Sequence, residues 1–234
     1  MGYFSLDIKK AKGTSDTTQS DHIERKIIPK NADPTRTHLN RVLVEYPDGV
    51  HGRDEAIAHR LNTAGIRRKI THDQVRVVRV VLSGTHEDMM NIQEKGELDE
   101  WCNDSIQWLQ ATFGKDNVVA AHLHMDEATP HLHIDFVPYV TGWKGKGMDT
   151  GVSLKQALKS LGFQGGNKHD TELNQWINHE KELLAEIARQ HGIEWEQKGT
   201  HEEHLDVYNF KKKERKKEVQ ALEQEKEYLT AENE

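Results

Sequence analysis

Apolar and polar positions change their period several times along the chain, and each change marks an element. Phe4, Leu6 and Ile8 within Tyr3 to Ile8 predict a short opening strand. Residues 9–21 are rich in Lys, Gly, Ser, Thr and Asp and read as a loop. Ser20 or Asp21 would then cap a short helix carrying His22, Glu24 and Arg25. Asn31 to Pro34 is a turn, and Leu39, Val42 and Val44 suggest a strand that ends at Tyr46. Asp54 to Asn62 has helical character and stops near Gly65. Val75 to Leu82 is β-branched and reads as a strand, with Arg76 and Arg79 on opposite faces. Leu98, Trp101, Cys102, Ile106, Leu109 and Phe113 keep helical spacing up to Gly114. Val118 to Met125 is an apolar strand, Asp126 to Pro130 a turn, and a partner strand starts at His131.

Beyond that hairpin, Gly142 to Gly151 reads as a flexible basic loop with Lys144 and Lys146. Two amphipathic helices follow. One runs from Ser153 to Leu161 and is stopped by Gly162; the other runs from about Asp170 to His191, with Leu173, Trp176, Ile177, Leu184, Ile187 and Ala188 on one stripe. Short strands separated by helices predict an α+β domain. Its central sheet should be mainly antiparallel, with helices packed on it. From Glu202 the chain is charged and helical in character; Val219, Leu222 and Leu229 fall at heptad positions that Lys226 interrupts. Residues 1–200 are therefore expected to form the main domain. Residues 201–234 are expected to be a charged helical extension, the start of a coiled coil through which the chain could self-associate.

Composition narrows the class. Hydrophobic residues are 35% and charged residues 30%, and no run approaches membrane-spanning length. The N-terminus lacks the charged start and apolar segment of a signal peptide. A single cysteine, Cys102, excludes an intrachain disulfide and fits a reducing, cytoplasmic setting. The net charge of −7 argues against a nucleic-acid partner until its distribution is considered. Residues 1–80 carry 15 Lys/Arg against 10 Asp/Glu, while the remainder carries 17 against 29. A basic N-terminal third is compatible with a phosphate-binding surface.

The chemistry concentrates in His124-Met125-Asp126-Glu127-Ala128-Thr129-Pro130-His131-Leu132-His133, with three histidines and two carboxylates in ten residues. His131 and His133 share one face of a strand. A hairpin brings His124 across from them, so three imidazoles converge as a divalent metal requires. Asp126 or Glu127 could orient a ligand through its second ring nitrogen. A structural zinc site normally has four ligands and usually cysteines; with Cys102 outside the motif, a catalytic metal with open positions fits better.

His124-x-Asp126-Glu127-x-x-Pro130-His131-x-His133 resembles the metal motif of the MobV relaxases, the Mob/Pre proteins of mobilisable plasmids and transposons. Asp21-His22-Ile23-Glu24-Arg25 is similar to that family's N-terminal His-x-x-Arg motif, and Asn31 to Asn40 follows in the family's order. The resemblance covers roughly residues 1–200. It implies a His-hydrophobe-His endonuclease fold related to rolling-circle replication initiators. It implies an enzyme that nicks one DNA strand at an origin of transfer and stays joined to the 5′ phosphate. His22 would be the nucleophile, giving a phosphohistidine, with Tyr46 the competing choice. Arg25, one helical turn after His22, would grip the non-bridging oxygens. Glu127 or Asp126 would orient a ligand or accept a proton. The metal held by His124, His131 and His133 would be manganese first, with magnesium, zinc, cobalt or nickel also admitted. Arg36, Arg41, Arg67, Arg68, Lys69, Arg76, Lys144 and Lys146 are the phosphate-contact candidates for origin DNA, a hairpin plus single strand. Two other readings remain open: a replication initiator or water-activating nuclease, and a non-enzymatic DNA-binding module with a structural metal.

Overall fold

A computed structural model describes residues 4–66, 69–145 and 148–193, and their side chains apart from 143–145 and 148. Five antiparallel strands form the central sheet: β1 (Ser5–Lys12), β2 (Arg41–Val42), β3 (Val75–Ser83), β4 (Val118–His124) and β5 (His131–Phe136), in the order β1-β3-β5-β4-β2. The helices are α1 (Thr17–Ile23), α2 (Arg53–Thr63), α3 (His86–Lys95), α4 (Leu98–Phe113), α5 (Leu154–Ser160) and α6 (Glu172–Gln190). β6 (Tyr139–Gly145) and β7 (Met148–Val152) make a separate hairpin. This is the expected α+β architecture.

The alternation of the strands sorts side chains onto two faces. Val78, Val80 and Leu82 of β3, Leu132, Ile134 and Phe136 of β5, and Ala121 and Leu123 of β4 point into the main core. Met89 and Ile92 of α3, Trp101, Leu109 and Trp108 of α4, Leu154 and Leu158 of α5, and Trp176 and Leu184 of α6 cover them. Trp108 stacks on Trp176 and donates its indole N–H to the buried carboxylate of Glu180, which satisfies a polar group that burial would otherwise penalise. Asp99 and Glu100 sit in the first turn of α4, where the helix dipole favours them. Gly114 and Gly162 end α4 and α5 at φ of 94° and 103°, a region that costs a side chain and suits glycine.

The second face is divided along the strands. At one end Ala56 and Ile57 of α2 pack on Ala11, Val77, Val119 and Val137. At the other end sit the histidines. Between them Arg53, fully buried at the start of α2, reaches the equally buried Asp135 of β5 through Nε to Oδ2 at 2.8 Å and through Nη2 to Oδ1. Its Nη1 donates to Asp16 at 2.9 Å and to Ser20 of α1 at 3.0 Å. The backbone N–H of Arg53 donates to Glu24. One guanidinium thus ties α1, α2 and β5 together and sets the height of α1 above the sheet.

Several local expectations change. β1 runs on to Lys12 and α1 begins at Thr17, so the expected loop over 9–21 shrinks to residues 13–16. The strand expected over 38–46 is cut to Arg41–Val42, after a short 3-10 turn at Thr37–Leu39. Asn40 leaves that turn in extended backbone, and its side chain is committed to the N–H of Met125. The basic loop expected over 142–151 belongs instead to the β6–β7 hairpin. Thr85, accepting from the N–H of Asp88, caps the unanticipated α3. The helical extension expected over 201–234 lies outside the described residues.

Replacing Arg53 with Ala leaves the Asp135 carboxylate buried and uncompensated, and is expected to destabilise the domain by about 3–5 kcal/mol. Urea unfolding of Arg53→Ala and of Arg53→Met/Asp135→Leu checks this; the double variant should recover most of the loss. An unshifted midpoint for the single variant would remove the clamp from the account.

Candidate functional site

Register builds the histidine cluster. His122 pairs with His133 and His124 with His131 across β4 and β5, so all four rings project from one face. The ring centroids of His124, His131 and His133 lie 4.6–5.0 Å apart. One nitrogen from each falls within 4.8 Å of the others.

Backbone carbonyls select the nitrogens that face inward. His124 Nε2 lies 2.8 Å from the Ile23 carbonyl at the end of α1, so it carries the proton and Nδ1 keeps its lone pair. His131 Nδ1 lies 3.0 Å from the Thr129 carbonyl, which leaves Nε2 with a lone pair. These two acceptors face each other at 3.2 Å, and His133 Nε2 is buried with no hydrogen-bond partner among the described residues. Burial, then the neighbouring His131 and Arg25, pushes His124 down to about 3. Burial also holds His133 well below the usual imidazole range. Three imidazoles whose nitrogens converge this closely, two of them kept neutral by burial, are a donor set that fits a divalent transition metal.

The carboxylates beside them divide the work that the sequence left undivided. Asp126 is buried and takes a two-point fork from Arg25, Nε to Oδ2 at 2.9 Å and Nη2 to Oδ1 at 2.8 Å, plus the hydroxyl of Thr37 at 3.2 Å. Hydrogen bonds and the charge of Arg25 hold its carboxyl far below the usual range despite burial. Glu127 is half-buried; it accepts from Arg25 Nη2 at 2.9 Å and from Asn31, and lies 3.9 Å from His131 Nε2. Asp126 is therefore a brace, and Glu127 is the carboxylate that faces the imidazoles.

Arg25 departs from its expected place. It lies beyond the end of α1 at φ 57°, the left-handed region a non-glycine residue rarely holds. Its Nη1 donates back to the His22 carbonyl at 3.0 Å, and Nη2 also lies 3.1 Å from His124 Nδ1. The fork expected to grip phosphate instead closes on Asp126 and Glu127. Arg25 thereby links the turn bearing His22 to the turn bearing the metal motif. His22, half-buried in the last turn of α1, sits in the electrostatic reach of Arg25, Glu127 and His131. Burial first and Arg25 second lower its pKa, so its imidazole is neutral near pH 7.

Tyr46 lies past β2, against His122, the cross-strand neighbour of His133. Its hydroxyl is 3.1 Å from His122 Nε2 and 3.5 Å from Glu24, and burial and the Glu24 carboxylate raise its pKa well above the usual phenol. A phenol so placed is a poor nucleophile at neutral pH. Sequence reasoning missed His122, buried with its Nδ1 unpartnered among the described residues, although the period of two from His124 was a visible signal. It also missed Arg53 and Asp135, and assigned no role to Thr37 and Asn40 within the Asn31 to Asn40 match, because their partners are remote in sequence.

Of the phosphate-contact candidates, Arg76 is corrected: it is buried and paired with Asp54, because the strand bulge beside it turns it under α2. Arg41 forks onto Asp99 of α4, on the side opposite the histidines. Arg36 is half-buried and Lys69 exposed. Arg67, Arg68, Lys146 and the side chain of Lys144 lie outside the described residues.

The Mob_Pre family, described as plasmid recombination enzyme, matches residues 1–212. A plasmid recombination enzyme type 1 of Staphylococcus aureus is 27% identical over 226 residues, covering 91% of this chain and 49% of that protein. A type 3 enzyme of the same species is 29% identical over 144 residues, covering 59% of this chain and 34% of that protein. The chain thus spans about half the length, or less, of these curated relatives. A crystal structure of the MobM relaxase domain, Mn-bound with 22 nucleotides of plasmid pMV158 oriT DNA, superposes with a TM-score of 0.70 at 22% identity, covering 90% of this chain and 99% of that one. A second, with a 23-nucleotide DNA, gives a TM-score of 0.69 at 22% identity, covering 90% of this chain and 97% of that one. The likeness extends to the fold as a whole, and with a family match that runs almost the full length, the chain belongs to the Mob_Pre family of plasmid recombination enzymes.

Proposed function

We propose that this chain is a relaxase: it nicks one DNA strand at an origin of transfer by transesterification and keeps the 5′ phosphate on His22. The observation that carries the reading is His22, lowered in pKa by burial, within electrostatic reach of Glu127 and of His131, one of three converging imidazoles. Family membership and the DNA-bound, Mn-bound relaxase neighbours support it.

His22 attacks the scissile phosphorus; a P–N bond forms to the 5′ side, the P–O3′ bond breaks, and the 3′ oxygen leaves and is protonated. Glu127, in electrostatic contact with His22, accepts the proton the imidazole releases. Arg25 holds the Glu127 carboxylate and the His22 carbonyl in one frame, so it is a positioning residue. His124, His131 and His133 would hold the divalent ion, with manganese the first choice; when bound it supplies charge that offsets the developing negative charge on phosphate and leaving oxygen. The phosphoramidate is reactive enough for a 3′ hydroxyl to reverse the step, which suits strand transfer and religation. Origin DNA, as a hairpin plus single strand, is the proposed partner, with Arg36 and Lys69 among its phosphate contacts. Self-association through residues beyond 200 belongs to the same proposal. Among the described residues no helix is long and apolar enough to cross a membrane.

A 3′-labelled single-stranded oligonucleotide carrying the origin of the element that encodes this chain, incubated with manganese and run on a denaturing gel, tests the reading. His22→Ala should abolish the protein-linked band, by about 1,000-fold or more in rate, while Tyr46→Phe should keep it within about tenfold. The opposite pattern moves the nucleophile to Tyr46. Cleavage with no protein-linked DNA in any lane sinks covalent catalysis and favours a water-activating nuclease.

Arg25→Lys keeps the charge and loses the fork, and should slow nicking by about 10–100-fold with the fold retained. Unchanged kinetics in that variant would remove Arg25 from the site. EDTA should abolish nicking yet lower the melting temperature by only a few degrees, because the core and the Arg53 clamp hold the fold without an ion. Unfolding on chelation would point instead to the structural-metal module.

A further inference from the structure

The histidine centre is not equally covered on its two flanks. His122 and His124 on β4 are buried, whereas His131 and His133 on β5 are half-buried. The same asymmetry continues on β3. Val78, Val80 and Leu82 are fully buried on the core side, while Arg79, Val81 and Ser83, on the histidine side, are half-buried. Beyond the end that α2 covers, this face of β1 and β3 therefore stays accessible. The ladder runs two rows across it. Asp7 pairs with Val81, Val81 with His133 and His133 with His122. Lys9 pairs with Arg79 and Arg79 with Asp135. At about 4.8 Å between strands, Lys9 is on the order of 10 Å from the β5 histidines.

Two cations stand on this strip. The Lys9 side chain is 62% exposed, and its ammonium lies 2.9 Å from Asp7. Arg79 Nη1 lies 3.8 Å from Asp16, beyond hydrogen-bond distance, and its Nε is buried with no hydrogen-bond partner among the described residues. The Arg79 side chain is 17% exposed, so it lends the strip positive charge from beneath while Lys9 is the exposed cation. We infer that the DNA strand leaves the histidine centre across this open half of the sheet, with Lys9 on its phosphates, the charge of Arg79 beneath them and Asp7 weakening that grip. The inference rests on the nicking function proposed above. It adds a path that none of the phosphate-contact candidates marked, and it places an acidic residue as a brake on affinity. A single strand suits the strip because its backbone is held by charge without base readout.

Fluorescence anisotropy with a labelled oligothymidylate of about 20 nucleotides reads the path directly. Lys9→Gln should weaken binding roughly three- to tenfold near 50 mM salt and reduce the slope of log affinity against log salt by about 0.7. Asp7→Asn should strengthen binding by a similar factor, a gain that misfolding cannot imitate. Lys155→Gln, on α5 over the opposite face, should bind like the unmodified protein. Lys9 and Asp7 variants that match the unmodified protein overturn the path alone, as does an equal loss in Lys155→Gln. No binding by the unmodified protein overturns the proposed function together with the path.

Discussion

The buried guanidinium of Arg53 is the constraint on which the rest of the site depends. A charge taken fully out of water must be matched by charge and hydrogen bonds. Arg53 is matched by Asp135 from the sheet, and by Asp16 and Ser20 from the start of α1. That requirement fixes where α1 stands. Once α1 is fixed, the Ile23 carbonyl at its end meets His124 Nε2, and His22 one residue earlier comes within electrostatic reach of His131 and Glu127. The apolar contacts of α2 give the clamp its rigidity, since a packed interior resists small displacements.

A second level of organisation rests on Arg25 and the Asp126-Glu127 turn. Each is an irregular segment that a short helix or hairpin alone would leave mobile. Cross-bracing them through one planar guanidinium orders both. The left-handed backbone at Arg25 is tolerated because its side chain is held at several points. The tautomers of His124 and His131 follow from the same architecture, because backbone carbonyls occupy their outer nitrogens and leave the inner ones as acceptors. A donor set prepared this way loses little freedom when an ion arrives.

Shared fold at about 22% identity with the relaxase-domain structures is understandable on these terms. Strand alternation and helix stripes tolerate many hydrophobic substitutions provided volume and pattern persist.

Local periodicity was legible in the order of residues alone. The alternation of His131 and His133 and their turn-spaced partner His124 announced the hairpin and its ligand face, and α4 and α6 came within two residues of their apolar stripes. These are short-range patterns, legible because strand and helix geometry repeat every two or 3.6 residues. What lay between elements was decided by the tertiary structure. Arg25 meets Asp126 across 101 residues and Arg53 meets Asp135 across 82. Such pairs leave no periodic trace, so sequence showed neither the fork of Arg25 onto Asp126 nor the burial of Arg76 against Asp54. Asp126 and Glu127 are neighbours with the same chemistry. Only the direction from which Arg25 approaches buries one as a brace and leaves the other facing the imidazoles, because a side chain's role depends on which charges the fold brings to it.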